Sequence, residues 1–175
     1  HNDARRQRQM CIRDRSSAGA LDLGTATIGG SMTATSSGGD ITQSGSLSIA
    51  SAANISAGSG QVVLSNASND FGGVVSASGG SISLADIGSL TLGTIVSEND
   101  FTVSSAGALD LGTATIGGSM TATSSGGDIT QSGSLSVAST ANISAGSGQV
   151  ALSNGSNNFG GVVSASGGSI SLADI

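Results

Sequence analysis

Apolar and polar positions alternate in short bursts along most of the chain. Apolar pairs at i, i+2 occur at Leu21/Leu23, Leu47/Ile49, Val62/Leu64, Ile82/Leu84, Leu90/Leu92 and Phe101/Val103. A period of two marks a β-strand with one buried face. The Ser, Thr, Gly and Asn between the bursts supply turns. No stripe at i, i+3, i+4, i+7 occurs, and Gly recurs throughout, so no helix is expected. Strand starts fall at Leu21, Ile41, Val62, Ile82, Leu109, Ile129, Val150 and Ile170, at steps of 20, 21, 20, 27, 20, 21 and 20 residues. Such a return predicts a coil of parallel strands: an all-β parallel β-helix, or β-solenoid, with about 20–22 residues per coil. Seven complete coils would make a rod of about 34 Å. The 27-residue step contains Ser97-Glu98-Asn99-Asp100 and reads as an outward loop or an extra partial coil.

A longer repeat contains this rhythm. Ser16-Ser17-Ala18-Gly19-Ala20-Leu21-Asp22-Leu23-Gly24 recurs from Ser104, an offset of 88 residues. The unit spans residues 16–103, and a second, truncated copy spans 104–175. The copies differ at only five positions: Ile49/Val137, Ala52/Thr140, Val63/Ala151, Ala67/Gly155 and Asp70/Asn158. Val63 lies between Val62 and Leu64 and should point outward, which fits its replacement by Ala151. The unit is cut at Ser16 and at Ile175, so open strand edges are expected at both ends.

Charge divides the chain at the same place. All five basic residues are Arg5, Arg6, Arg8, Arg13 and Arg15. From Ser16 onward there is no Lys, Arg, His or Cys, and every acid except Asp3 and Asp14 lies there. Upstream of Ser16 the repeat match stops: Arg13-Asp14-Arg15 stands where Phe101-Thr102-Val103 precedes the second copy. Residues 1–15 are therefore expected to be a non-native junction or a disordered basic segment, with the β-helical region at 16–175.

Composition narrows the chemistry. Only 9% of residues are charged and 2% aromatic, against about 25% charged in an ordinary globular domain. No apolar run approaches the ~20 residues of a membrane helix. Metal sites built from Cys or His are excluded from the repeat. A Ser nucleophile would lack a His or Lys base. Asp22, Asp40, Asp70 and Asp86 fall at different points of the coil, and Asp70 becomes Asn158 in the second copy, which a general base could not survive. Gly38-Gly39-Asp40-Ile41 and Gly79-Gly80-Ser81-Ile82 share only the Gly pair with nonapeptide calcium repeats, and Glu98 with Asp100 would make a weak site. No catalytic, cofactor-binding or metal-binding residue is assigned, and no cofactor is expected. Nucleic acid is not an expected partner, since the repeat has no basic face. Asn54, Asn66, Asn142 and Asn154 fit the N-glycosylation pattern, which arises by chance in a chain this rich in Ser and Asn.

The runs GGDITQSGSLSIA (38–50), SAGSGQVVLSNASNDFGGVVSASGG (56–80) and ALDLGTATIGGSMTATSSGGD (20–40) resemble the repeats of filamentous-haemagglutinin-type exoproteins, the large passengers of two-partner secretion, and of autotransporter adhesins. That resemblance covers nearly all of residues 16–175. It implies a right-handed parallel β-helix, export through an outer-membrane transporter and an extracellular or cell-surface location. It also implies an adhesive or display role, with host-cell receptors or glycans bound by the full-length protein. The expected function is a structural or adhesive shaft segment, not an enzyme. The alternatives are a non-catalytic part of a carbohydrate-active β-helix enzyme and a calcium-stabilised repeat exoprotein.

Overall fold

The computed structural model describes residues 12–175; the expectation for residues 1–11 lies outside them. The described residues form a β-solenoid whose strands are all parallel and stack on three faces. No helix is present among them. The first face begins with Ile12–Ser17, Ser31–Ser36, Ala53–Ser56 and Val75–Gly79. Above these lie residues 94–97 of the long strand Leu90–Ser97, then Thr113–Ile116, Leu135–Val137 and Asn158–Phe159. The second face carries Leu21–Asp22, Ile41–Thr42, Val62–Leu64, Ile82–Asp86, Phe101–Ser105, Met120–Ser124, Ala141–Ser144 and Val163–Ser166. On the third face Ala26–Ile28, Leu47–Ile49 and Asp70–Phe71 form a three-stranded sheet. A second stack on that side starts at residues 90–91 and continues through Leu109–Asp110, Ile129–Thr130, Gln149–Leu152 and Ser169–Leu172.

The second face gives the coil length directly. Its register runs Leu21, Ile41, Val62, Ile82, Phe101, Met120, Ala141, Val163, so one coil takes 19 to 22 residues. Eight strands at the ~4.8 Å spacing of a β-ladder make a stack of about 34 Å.

Alternation places the core. Val62 and Leu64 are buried and Val63 between them is only half-buried, as the sequence predicts. Inward columns mix large and small side chains up the rod: Met32, Ala53, Val75 and Leu92 in one, and Ala34, Ile55, Ala77 and Ile95, in strict alternation, in the next. That mixture fills a narrow interior without crowding it. All three Phe residues, Phe71, Phe101 and Phe159, are buried.

Two expectations are corrected. The first concerns the stacking of the two copies. Leu109 is expected above Ile82, but Phe101 sits there and Leu109 stacks on Leu90. The cause is the strand Leu90–Ser97, which adds a third of a turn. Its register slips by one residue between Val75 and Ala77, where Gly93 and Thr94 stand opposite Ser76 alone, so that Leu90, Leu92, Ile95 and Ser97 all face inward. Of the two readings of the 27-residue step, the extra partial coil holds, and Ser97-Glu98-Asn99-Asp100 is no outward loop. Glu98 N donates to Gly79 O (3.0 Å) and Asn99 N to Gly80 O (2.7 Å), so the segment is an ordinary stacked corner. The 88-residue unit thus spans four coils and a third. Ser31–Ser36 lies on the first face and its counterpart Met120–Ser124 on the second.

The second correction concerns the boundary at Ser16. The first strand begins at Ile12 and pairs in register with Ser31–Ser36. A β-ladder is made by backbone groups, so it continues through residues foreign to the repeat. Arg13 and Arg15 take the register positions that Phe101 and Val103 hold in the second copy. Half-buried Arg15 sends Nη1 to the carbonyl of Asp22 (2.8 Å).

Candidate functional site

The acids singled out in the sequence do not converge. Among the described residues no three of His, Cys, Asp and Glu come close enough together to hold a metal ion. Most acids instead accept from backbone N–H groups at corners of the coil. Asp40 Oδ1 accepts from Gln61 N one coil up (2.8 Å), and its counterpart Asp128 accepts from Gln149 N (2.7 Å). Asp100 Oδ1 accepts from Ser119 N (2.8 Å). Asp22 Oδ1 accepts from Gly24 N (2.8 Å); that hydrogen bond, with help from Ser44, lowers its carboxyl below the usual range. Corner N–H groups have no ladder partner, and a carboxylate one coil away fills the vacancy with a charge-assisted bond. Glu98 and Asp70 are exposed.

Among the described residues Asp86 is the one buried acid. Its Oδ2 accepts from Phe71 N (2.7 Å) and its Oδ1 from Gly88 N (2.6 Å). Burial pushes the carboxyl above its ordinary value. The bonds from Phe71 and Gly88 work against that rise, and the nearby Asp70 carboxylate adds to it. A hollow of about 170 Å³ opens beside it, lined by Ala67, Ile87 and Ser105 among others. A buried carboxylate that accepts from two backbone donors acts as a structural staple between the segments that carry them.

Sequence reasoning missed a pair of buried amides. Asn69 and Asn157 are fully buried. Asn69 Oδ1 accepts from Leu47 N (2.9 Å) and Gln43 Nε2 (2.7 Å), while its Nδ2 donates to Gln43 Oε1 (2.9 Å) and Leu64 O (3.0 Å). The second copy repeats the clamp with Asn157, Gln131, Leu135 and Leu152. Each buried Asn satisfies a backbone donor and a backbone acceptor that the ladder leaves free, and Asn157 donates to a second acceptor, Ala173 O (3.2 Å). Every buried side-chain polar atom among the described residues has a partner. The signal was present as GDITQSG and NDFGG (NNFGG in the second copy), whose Gln and first Asn lie 26 residues apart in both copies.

The surface feature that recurs is a shallow trough. In the first copy it holds about 190 Å³ and runs between the column Thr33, Asn54, Ser76 and the column Thr35, Ser56, Ser78. Its counterpart, about 270 Å³, runs between Thr121, Asn142, Ser164 and Thr123, Ser144, Ser166. Both are uncharged and lack aromatic residues. Because of the extra third of a turn, they open on different faces.

A family of repeats of unknown function (DUF5649) matches residues 13–78 and 98–166. The chain belongs to this family. Its two matched segments follow the two copies of the repeat, and the first begins inside the Ile12–Ser17 strand. No curated protein and no solved structure matches the chain.

Proposed function

We propose that the chain is a length of β-helical shaft in a secreted bacterial surface protein, extending or displaying a binding or effector region. The observation that carries this reading is the join between the two copies. Phe101–Ser105, the strand that crosses from the first copy into the second, lies between Ile82–Asp86 below and Met120–Ser124 above, with no break in the core. Units that fuse in this way lengthen a rod indefinitely, which is what a shaft requires. The repeat has no Cys, which fits export through an outer-membrane transporter that must thread an unlocked chain. The resemblance to two-partner-secretion passengers supports the same location, and receptors or glycans would be met by the full-length protein.

The test has two arms. Inserting further 88-residue units should lengthen the rod by about 21 Å each, four and a third rungs of ~4.8 Å, measured by small-angle scattering or electron microscopy. Fusing the chain between a two-partner-secretion export domain and an epitope should bring the epitope to the cell surface. A rod that does not grow overturns the shaft; retention in the periplasm overturns the export.

A further inference from the structure

We propose that Asn154 is a site of spontaneous modification, converting to aspartate and isoaspartate while its counterpart Asn66 persists. Asn154-Gly155 is the only Asn-Gly pair in the chain. It lies in an exposed turn of the second copy: Asn154 is half-buried, and Gly155 and Ser156 are exposed. Asn154 Oδ1 accepts from Ser156 N (2.9 Å), which closes a turn around Gly155 and draws electrons from Cγ. Among the described residues, neither the Asn154 Nδ2 nor the Gly155 N–H has a hydrogen-bond partner. The deprotonated Gly155 nitrogen attacks Asn154 Cγ. A bond from Gly155 N to Cγ forms, the bond from Cγ to Nδ2 breaks, and ammonia leaves. Water then opens the cyclic imide at one carbonyl or the other, giving aspartate or isoaspartate. The net change is amide plus water to carboxylic acid plus ammonia, with no oxidant or reductant.

The first copy supplies the control. Asn66 Oδ1 accepts from Ser68 N at the same 2.9 Å, in the same turn, but Ala67 follows it. A Cβ on that residue crowds the attacking nitrogen; Gly155 has none, and open space surrounds the place where one would stand. The lesion would matter locally. Asn154 O accepts from Asn157 N (3.1 Å), so an isoaspartyl link puts an extra methylene into the chain just before the buried Asn157 clamp.

The experiment incubates the full chain at mildly alkaline pH and follows isoaspartate by isoaspartyl-methyltransferase labelling, with intact mass alongside. Peptic digestion locates the label, because trypsin has no site after Arg15. Label should accumulate at Asn154 several-fold faster than at Asn66. Gly155→Ala should slow Asn154 to the rate of Asn66, and Ala67→Gly should bring Asn66 up to that of Asn154. Both variants place a residue that the other copy already carries, so both should fold. Equal rates at the two sites in the unmodified chain, or a Gly155→Ala chain that still modifies at the original rate, would overturn the proposal.

Discussion

At the scale of single residues, side-chain parity and buried polar groups decide what the rod tolerates. Val62, Val63 and Leu64 share one short strand, yet the first and third are fully buried and the second is not. Leu64→Asp buries a carboxylate without a partner, which costs several kcal/mol even after its pKa rises. Val63→Asp should stay within about 0.5 kcal/mol, the range of surface changes. Denaturant melts of the two variants check this; equal costs would mean that the strand register is wrong. Asp86 gives a pH signature. Its folded pKa lies above the ordinary 3.8 of the unfolded chain. Just above pH 3.8 the folded state therefore holds more protons at this site than the unfolded state, and stability falls as pH rises through that window. Above the folded pKa the loss is complete and constant. Asp86→Asn removes this slope, so the stability of the parent relative to the variant should improve as pH drops from neutral toward about 4. Melts at a series of pH values measure it, and a difference that does not change with pH would show that burial leaves the carboxyl unperturbed. Parity was legible in the sequence because a period of two has one reading. The Asn69 clamp was not: in a chain where Asn and Ser fill every turn, a buried amide looks like a turn residue until Gln43 is brought to it from 26 residues away.

Strands and coils show why near-identity between copies misleads. Copies that match at all but five positions invite the inference that equivalent residues stack. The ladder obeys a different rule, because each strand pairs with whatever the chain lays above it one turn later. Leu90–Ser97 spends eight residues on a bulged strand that crosses from the third face to the first, and the phase of everything after it shifts by one face. The 27-residue step did carry the information, but only as length, and length alone does not distinguish a loop from a partial turn. Engineered disulfides can. Ser83 pairs with Thr102 across adjacent coils, whereas Asp110 pairs with Thr91. Adjacent strands put Cα atoms about 4.8 Å apart, within the 4.4–6.8 Å range that a disulfide spans. With Cys11 replaced by Ser, the pair Ser83→Cys and Thr102→Cys should cross-link under mild oxidation. The pair Ser83→Cys and Asp110→Cys should not. The opposite result would stack the copies face on face and remove the extra third of a turn. The boundary at Ser16 fails for a related reason. Sequence identity ends there, but the backbone ladder does not need identity, and Arg13 and Arg15 enter it at positions where the second copy has Phe101 and Val103.

On the scale of the whole molecule, the two ends of the described rod differ in kind. One end begins with a strand that carries Arg13 and Arg15 in register with Met32 and Ala34. The other ends in Val163–Ser166 and Ser169–Leu172, whose upper ladder groups are unpaired. There Ile170 is 47% exposed and Leu172 41%, whereas their counterparts Ile82 and Leu84 are each 1% exposed beneath Phe101–Ser105. An open edge with free N–H and C=O groups and an apolar rim is a template for another chain. The net charge of -6 opposes association only over the ~10 Å reach of the field in ordinary salt, and Asp174 is the one charged side chain between Val162 and Ile175. Taken by itself, a chain of these 175 residues should therefore associate increasingly with concentration, through this end. Ile170→Lys with Leu172→Lys puts like charges on the rim while leaving the lower coils untouched, so it should lower the association without loss of β-structure. Sedimentation velocity over a concentration series, with circular dichroism on the same samples, measures both. A parent chain that stays monomeric at high concentration would show that the edge is inert. A double variant that associates as strongly as its parent would move the contact elsewhere, with the uncharged troughs on the sides of the rod as the next surfaces to block.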